Sequence, residues 1–177
     1  MADVSELLAD APSSWVLDAG RSTVGFRAPT FWGLVKVKGT FSDLQGAGEL
    51  TGAHDVSGQL GIGVASVKTG IAKRDDHLRS ADFFDVEKFP TIGVTVNGGV
   101  VTGPDTVELN ATITIKGLER QVNLPAKVTT LDDGAVRIAT QAEVNRSELT
   151  VDGNMMGMMG DVTHISADTV FTPLAAT

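Results

Sequence analysis

The sequence contains no cysteine and no tyrosine among its 177 residues, and aromatic residues make up only 5% of it. The absence of cysteine excludes disulfides, thiolate nucleophiles and cysteine-based zinc or iron–sulfur sites. Basic residues are few, since 14 Lys and Arg face 22 Asp and Glu for a formal net charge of −8. This charge repels phosphate groups and argues against a nucleic-acid partner or an anionic membrane surface.

Long hydrophobic runs are also absent, so the sequence predicts no transmembrane segment. The opening residues, MADVSELLADAPSS, lack the basic start and apolar core of a secretory signal, and we therefore expect a cytoplasmic protein. Val4, Leu7 and Leu8 follow a helical spacing that predicts a short N-terminal helix ended by Pro12. We expect residues 1–14 to form an N-terminal extension and residues 15–177 to form one domain.

What the sequence does contain is a repeated alternation of apolar and polar residues. Val24 and Phe26 alternate with polar or small residues, and so do the apolar residues within 107–115, as strands with one buried face require. About eight such strands joined by short turns predict an all-β fold, an antiparallel sheet that closes into a barrel.

Several residues within this pattern predict turns or the edge of a sheet. Residues 97–99, Asn-Gly-Gly, predict a turn, and Lys116 and Gly117 predict a second one. Pro125 lies within an otherwise strand-like stretch. Because proline cannot donate to a strand ladder, it predicts a sheet edge or a bulge at this position.

One face of the predicted strands is almost entirely aliphatic, with Phe26 and Phe171 as its only large rings. A barrel lined in this way either packs into a solid core or leaves a tunnel for an apolar ligand, and the pattern leaves both open. Phe31 and Trp32 stand between two strands, where they either cover such a cavity or pack at a corner of the core. The residues outside the methionine loop that we expect to contact a ligand are Val24, Phe26, Phe31, Trp32, Val35, Val37, Leu109, Ile113 and Phe171.

Four of the five methionines lie in one glycine-flanked segment, GNMMGMMGD, as Met155, Met156, Met158 and Met159. Methionine adapts to variable apolar shapes, so we expect these four residues to contact the ligand as well. The same segment also suits a plug inside the barrel or a homodimer interface. A third alternative is thioether coordination of Cu(I) with His164 nearby in the sequence.

The stretch of residues 69–90 follows a helical rather than a two-residue period, which predicts a helical insertion at about residues 70–89. We expect its aromatic residues to anchor this insertion on the barrel; they are Phe83, Phe84 and Phe89.

The insertion also carries the main cluster of charges. Asp75 and Asp76 precede Arg79 by four and three residues, a spacing that stabilises an exposed helix. The alternative is that one of these acids orients His77 as a general base or metal ligand. No nucleophile elbow and no metal-ligand spacing accompanies His77, so we assign no catalytic and no metal-binding residue.

Three segments resemble the YceI-like family of polyisoprenoid-binding proteins: WVLDAGRSTVGFRAP, GTFSDLQGAGEL and TGIAKRDDHLRSADFFDVEKFPTIGV. The resemblance extends over about residues 15–171. It implies an extended eight-stranded antiparallel lipocalin-like barrel with one helical insertion, enclosing a hydrophobic tunnel that holds an isoprenoid chain. Many family members carry a secretory signal that this sequence does not show, and the family has no uniform catalytic residues.

Together, the pattern and the resemblance predict a non-enzymatic protein. We expect it to bind, store or transport a polyprenyl chain or the tail of an isoprenoid quinone, without a cofactor. The alternatives are a small metal-binding or hydrolytic protein that uses His77 with Asp75 or Asp76, and a solid-barrel interaction module of the stress response.

Overall fold

The computed structural model describes residues 14–30, 35–50, 56–81, 84–145 and 162–174, without the side chains of residues 28–30, 35–37, 144, 145 and 162. The N-terminal helix expected near Val4 lies outside these ranges. In chain order the elements are β1 (Ser14–Leu17), β2 (Thr23–Thr30), β3 (Val35–Phe41), β4 (Leu44–Leu50), β5 (Val56–Gly63), α1 (Ala72–Arg79), β6 (Thr91–Val101), β7 (Thr106–Ile115), β8 (Leu118–Thr130), β9 (Val136–Asn145) and β10 (Val162–Pro173). Within the described ranges, no α-helix has both the length and the apolar character needed to cross a bilayer.

The ten strand segments form one antiparallel sheet that closes on itself. The last segment, β10, pairs with β9 and β2 and also with β1, which closes the sheet. Only the short 3₁₀ turn Ala19–Arg21 and its flanking residues separate β1 from β2, and only Ser42 and Asp43 separate β3 from β4. Each of these pairs continues as one interrupted strand, so the predicted eight-stranded antiparallel barrel is confirmed.

Arg21 connects the interruption between β1 and β2 to the turn between β8 and β9. Its Nε lies 2.8 Å from Asp18 Oδ2, and its Nη1 lies 2.9 Å from Asp133 Oδ2 in the β8–β9 turn. The hydrogen bond from Arg21 holds the pKa of the Asp18 carboxyl below its usual range. Because these groups are solvent-exposed, the pairs orient the chain more than they stabilise it.

The turn expected at residues 97–99 is wrong, whereas the second expected turn is confirmed. β6 runs through residues 97–99, and its pairing with β7 shifts between Val96 and Gly99, which marks a β-bulge. Gly98 has a φ of 128°, so glycine here absorbs an irregularity inside a strand instead of reversing the chain. Lys116 and Gly117 have φ values of 52° and 76°, as a two-residue hairpin turn requires.

The helix in the insertion is shorter than the expected range of residues 70–89. α1 spans Ala72–Arg79, and the described residues that follow form turns. Ser80 ends the helix because its N–H and its hydroxyl both donate to the carbonyl of His77, while its own backbone is extended. Leu78 and Phe84 pack against the barrel core, so Phe84 is confirmed as an apolar anchor. Phe83 lies outside the described residues.

The barrel has two distinct ends. The end that carries α1, here called the α1 end, is formed by Thr30, Val35, Gly63, Thr91, Ile115, Leu118, Asn145 and Val162. The opposite end, here called the distal end, is formed by Ser14, Leu50, Val56, Val101, Thr106, Thr130, Val136 and Pro173. Residues 31–34 and 146–161 lie outside the described chain, but the strands that flank both segments terminate at the α1 end.

The seam between β8 and β9 is only partly paired. β8 pairs with β7 along nearly its whole length, but it pairs with β9 only over residues 126–130. Pro125, which has no N–H to donate, immediately precedes the first of these pairs, in agreement with its predicted edge position. Residues 118–125, here called the β8 edge, have no described strand paired on the β9 side.

Candidate functional site

A cavity of about 320 Å³ lies inside the barrel. Alternate residues of a strand point to the same side of the sheet, and the cavity wall is the inward face of the strands. Side chains from all parts of the barrel contribute, among them Trp15, Val24, Phe41, Leu60, Val94, Leu109, Leu124, Ile138 and Ile165. The volume falls at the lower end of the range of about 300–1,000 Å³ that small-molecule pockets occupy.

Glycines on β4 and β5 create part of this space. Gly48 and Gly58 are paired across the two strands, at inward positions where a side chain would otherwise project into the barrel. A Cβ added to Gly48 would find the carbonyl oxygen of Ser57 as its nearest non-adjacent atom, at 3.5 Å. Leu109 and Ile138, which also face inward, are only half-buried. The barrel is therefore hollow, whereas the sequence pattern had left a solid core open.

Aromatic rings cluster where the cavity meets the α1 insertion. The ring centroids of Phe26 and Phe41 are 5.7 Å apart, and those of Phe41 and Phe84 are 6.1 Å apart. Phe26 lies over its cross-strand partner Gly39 so closely that a Cβ there would overlap the ring. Leu78 of α1 also lines the cavity. The insertion thus forms part of the cavity wall.

Few polar side chains face the cavity. The hydroxyls of Thr140 and Thr169 donate to backbone carbonyls of the barrel, at 2.7 and 2.9 Å. The Oγ1 of Thr163 is buried and has no hydrogen-bond partner. Glu49 is the one charged residue among the described residues at the cavity wall, and its exposed side chain is on the opposite face of β4 from the inward Gly48. Because a buried charge without a partner is strongly unfavourable, this wall suits an uncharged ligand that is mainly hydrocarbon.

Five of the residues expected to contact a ligand line the cavity, and their contact with a ligand stays a prediction. They are Val24, Phe26, Leu109, Ile113 and Phe171. Val35 and Val37 belong to β3, but their side chains are outside the described part of the chain. Also outside the described residues are Phe31, Trp32, Met155, Met156, Met158 and Met159.

Several cavity residues were missing from the expected set. Leu60, Val94, Ile138 and Ile165 line the cavity, and each of them has polar or small neighbours on both sides in the sequence, so the two-residue period was sufficient to include them. Thr163 offers no such signal, because threonine is common on both faces of a strand.

Asp75 has a structural role in the insertion. Its carboxylate is buried and accepts hydrogen bonds from the backbone N–H of Thr69, at 2.8 Å, and from the Thr69 hydroxyl. These bonds, led by the one from the hydroxyl, hold the pKa of the Asp75 carboxyl below its usual range. Arg74 binds the same threonine through its Nε and Nη2, each at 2.8 Å.

The remaining charges of the cluster fasten α1 to the chain that precedes it. Arg79 donates to the carbonyl oxygens of Ala65, at 2.9 Å, and Val67, at 3.0 Å, and it pairs with Asp76 at 3.0 Å. Both acids proposed as partners for a catalytic His77 therefore take part in contacts that shape the insertion. In the part of the chain that the structure describes, no three His, Asp or Glu side chains are grouped closely enough to hold a metal ion.

Comparison with known proteins identifies the family. The model of the YceI-like domain matches residues 15–171. The chain is similar to a UPF0312 protein of Azotobacter vinelandii, with 33% identity over 91 residues that cover 50% of this chain and 47% of that protein. It is similar to Protein YceI of Escherichia coli, with 31% identity over 110 residues that cover 59% of this chain and 57% of that protein. The alignments thus span about half the length of these curated relatives.

Two solved structures share the fold. BcnA of Burkholderia cenocepacia matches with a TM-score of 0.81 at 21% identity, over 88% of this chain and 99% of that one. A polyisoprenoid binding domain from Saccharophagus degradans matches with a TM-score of 0.77 at 19% identity, over 92% of this chain and 99% of that one. At these identities the likeness concerns the fold alone. Since the family model covers nearly the whole barrel, the chain belongs to the YceI-like domain family.

Proposed function

We propose that this protein binds a long apolar isoprenoid-type lipid, either a polyprenyl chain or the tail of an isoprenoid quinone, inside its barrel. The observation that carries the proposal is the internal cavity of about 320 Å³ with its aliphatic and aromatic wall. The structurally similar domain from Saccharophagus degradans is a polyisoprenoid binding domain, which supports the choice of ligand.

Burial of hydrocarbon would supply the free energy of binding. Each methylene transferred from water into an apolar site contributes about 0.8 kcal/mol. Affinity should therefore rise with the number of isoprene units until the cavity is full. Branched isoprene units also suit a wall of mixed aliphatic and aromatic side chains, because apolar contacts with such a wall do not depend on a particular orientation of the ligand.

We propose that the protein stores or carries this lipid without changing it chemically. The polar residues that line the described part of the cavity are mainly neutral, and threonine is the commonest of them. The cluster of charges on α1 holds the insertion in place. The family assignment supports a binding role.

Native mass spectrometry of protein purified without detergent tests this proposal. We expect a bound mass that solvent extraction identifies as an isoprenoid, and we expect the delipidated barrel to take up a polyprenol or an isoprenoid quinone on titration. Circular dichroism of the delipidated protein serves as the control for an intact barrel. If the folded, delipidated protein takes up neither lipid, the proposal is wrong.

A further inference from the structure

The hydroxyl of Thr163 makes no hydrogen bond within the barrel. Thr163 is the second residue of β10, at the α1 end, and it lines the cavity. Its Oγ1 is shielded and has no hydrogen-bond partner, whereas the large majority of buried polar side-chain atoms in proteins have one. An unpaired hydroxyl in an apolar site is unfavourable until some group supplies the missing hydrogen bond.

The hydroxyls of the other threonines that line the cavity do have hydrogen-bond partners. Thr169, further along the same strand, donates to the carbonyl of Ile138, and Thr140 on β9 donates to the carbonyl of Pro125. Both hydroxyls are thus satisfied by the backbone. Thr163 differs from them because its hydroxyl lacks such a carbonyl, although its side chain as a whole is only half-buried.

Rotation about the Cα–Cβ bond would change the side to which the Thr163 hydroxyl points. The hydroxyl and the methyl group of threonine occupy two of the three staggered positions about this bond, and a rotation of about 120° moves the hydroxyl to another of them. In this structure the hydroxyl lies on the shielded side. A ligand oxygen at the α1 end would offer the hydrogen bond that the shielded position lacks, and this bond would favour the rotated form.

The charges of the cavity wall restrict the chemical class of the ligand oxygen that Thr163 could bind. Among the described lining residues there is no Lys, Arg or His, and the side chain of the one charged residue, Glu49, is exposed on the outer face of β4. A diphosphate would enter this wall without a cation to pair with it. An alcohol or a quinone carbonyl needs only one neutral hydrogen bond, which a hydroxyl can donate or accept.

We propose that Thr163 orients the lipid, by hydrogen-bonding an uncharged oxygen at one end of the isoprenoid and so placing that end at the α1 end of the barrel. The hydrocarbon chain then extends along the apolar wall toward Trp15. This inference rests on the proposed function, since it concerns the same cavity and the same class of ligand.

Binding of matched ligands to Thr163 variants tests the inference. The probes are geranylgeraniol, the corresponding hydrocarbon without the hydroxyl, and geranylgeranyl diphosphate. We expect Thr163→Val to weaken geranylgeraniol binding by about threefold to tenfold, the effect of one neutral hydrogen bond, and to leave hydrocarbon binding unchanged. Thr163→Ser should keep the wild-type preference. Thr169→Val, which removes a satisfied hydroxyl from the same strand, should leave the alcohol-to-hydrocarbon ratio unchanged.

The melting temperature of lipid-free Thr163→Val controls for folding, and it should equal or exceed that of the wild type because the substitution removes an unpaired buried hydroxyl. An unchanged alcohol-to-hydrocarbon ratio in this variant overturns the inference alone, as does tighter wild-type binding of the diphosphate than of the alcohol. If none of the probes binds to the folded protein, the proposed function fails, and the inference fails with it.

Discussion

Single residues decide how much space this barrel encloses. Gly48 faces the cavity, and the nearest non-adjacent atom to a Cβ at this position would be 3.5 Å away. Its backbone needs no glycine, because its φ lies outside the left-handed region. The absence of a side chain at Gly48 enlarges the cavity, and a substitution that adds a side chain at this position tests its contribution.

We expect Gly48→Leu to weaken lipid binding by more than tenfold while the barrel still folds. Displacing two methylenes of the lipid would cost about 1.6 kcal/mol, at about 0.8 kcal/mol each, which corresponds to more than tenfold in affinity. Gly61→Leu is the matched control, because Gly61 lies on the outer face of β5 and a Cβ there would meet its nearest contact only at 3.8 Å. Titration with a polyprenol measures both. Equal losses in the two variants would contradict a cavity-filling effect.

Asp75 gives the insertion a dependence on pH. Hydrogen bonds from Thr69 hold the pKa of this carboxyl below its ordinary value of 3.8. The folded state therefore favours the charged form, and the resulting stability is complete above pH 3.8 and is lost as the pH falls through the lower, folded pKa. We expect Asp75→Asn to lower the melting temperature by several degrees at neutral pH.

The difference in melting temperature between wild type and Asp75→Asn should shrink as the pH falls below 3.8. Thermal unfolding followed by circular dichroism over a series of pH values measures it. Asp76→Asn is the control, because the Asp76 side chain is 78% exposed and makes a surface pair with Arg79 that contributes little. A difference that stays constant from neutral to strongly acidic pH would rule out the Asp75 carboxylate as its source.

At the scale of elements, the strands were the most predictable part of the fold. In β7 the inward side chains alternate without a break from Val107 to Ile115, so the buried face can be assigned from the sequence. Lys116 and Gly117 were correctly predicted as a turn because the strands on both sides end there. The same reasoning failed at residues 97–99, since a glycine pair tolerates a bulge as readily as a turn and only the pairing with β7 decides between them.

The candidate site was less predictable than the strands, for a different reason. A pattern of apolar residues shows which side faces inward, but it does not show how far the opposite wall is. The space opposite Gly48 follows from the register of β4 and β5, which the sequence of one strand does not contain. The unpaired hydroxyl of Thr163 likewise depends on which carbonyls the neighbouring strand presents.

The β8 edge leads to a prediction about hydrogen exchange. The amide of Val128 donates toward β7, to the carbonyl of Asp105, and amides along a strand alternate in direction. Those of Glu119, Gln121 and Asn123 therefore point toward β9, where the described pairing begins only at Ala126. We expect these three amides to exchange with solvent much faster than their neighbours that point toward β7.

Amide exchange followed by nuclear magnetic resonance resolves these positions individually. The amides of Lys127 and Thr129, which point in the same direction but lie within the paired part of the seam, are the matched controls and should be protected. Uniform protection of the odd-numbered amides along β8 would contradict the prediction, because it would show that β8 is hydrogen-bonded along its whole length on the β9 side.

At the scale of the whole molecule, lipid binding and barrel stability are linked. A ligand that binds the closed barrel and not the unfolded chain stabilises the fold by about 2.7 kcal/mol at a free concentration one hundred times its dissociation constant. For a chain of this size, each kcal/mol raises the melting temperature by about 2–4 °C. We therefore expect delipidated protein to melt several degrees below the lipid-bound form.

Re-addition of a polyprenol should restore the higher melting temperature, and longer chains should give larger shifts until the cavity is filled. Differential scanning calorimetry measures the shifts, and Gly48→Leu, with less space for lipid, should show a smaller one. A melting temperature that does not respond to any lipid in the wild-type protein would contradict the linkage.

The pairing of β10 with both β1 and β2 also determines when, during synthesis, the barrel can close around a ligand. Among the described strands, β1 is synthesised first and β10 last, so the two closing partners are far apart in the order of synthesis. Until β10 arrives, the edges of β1, β2 and β9 are without this partner, and contacts so distant along the chain form slowly. The order of synthesis thus sets the earliest moment at which the protein can enclose anything.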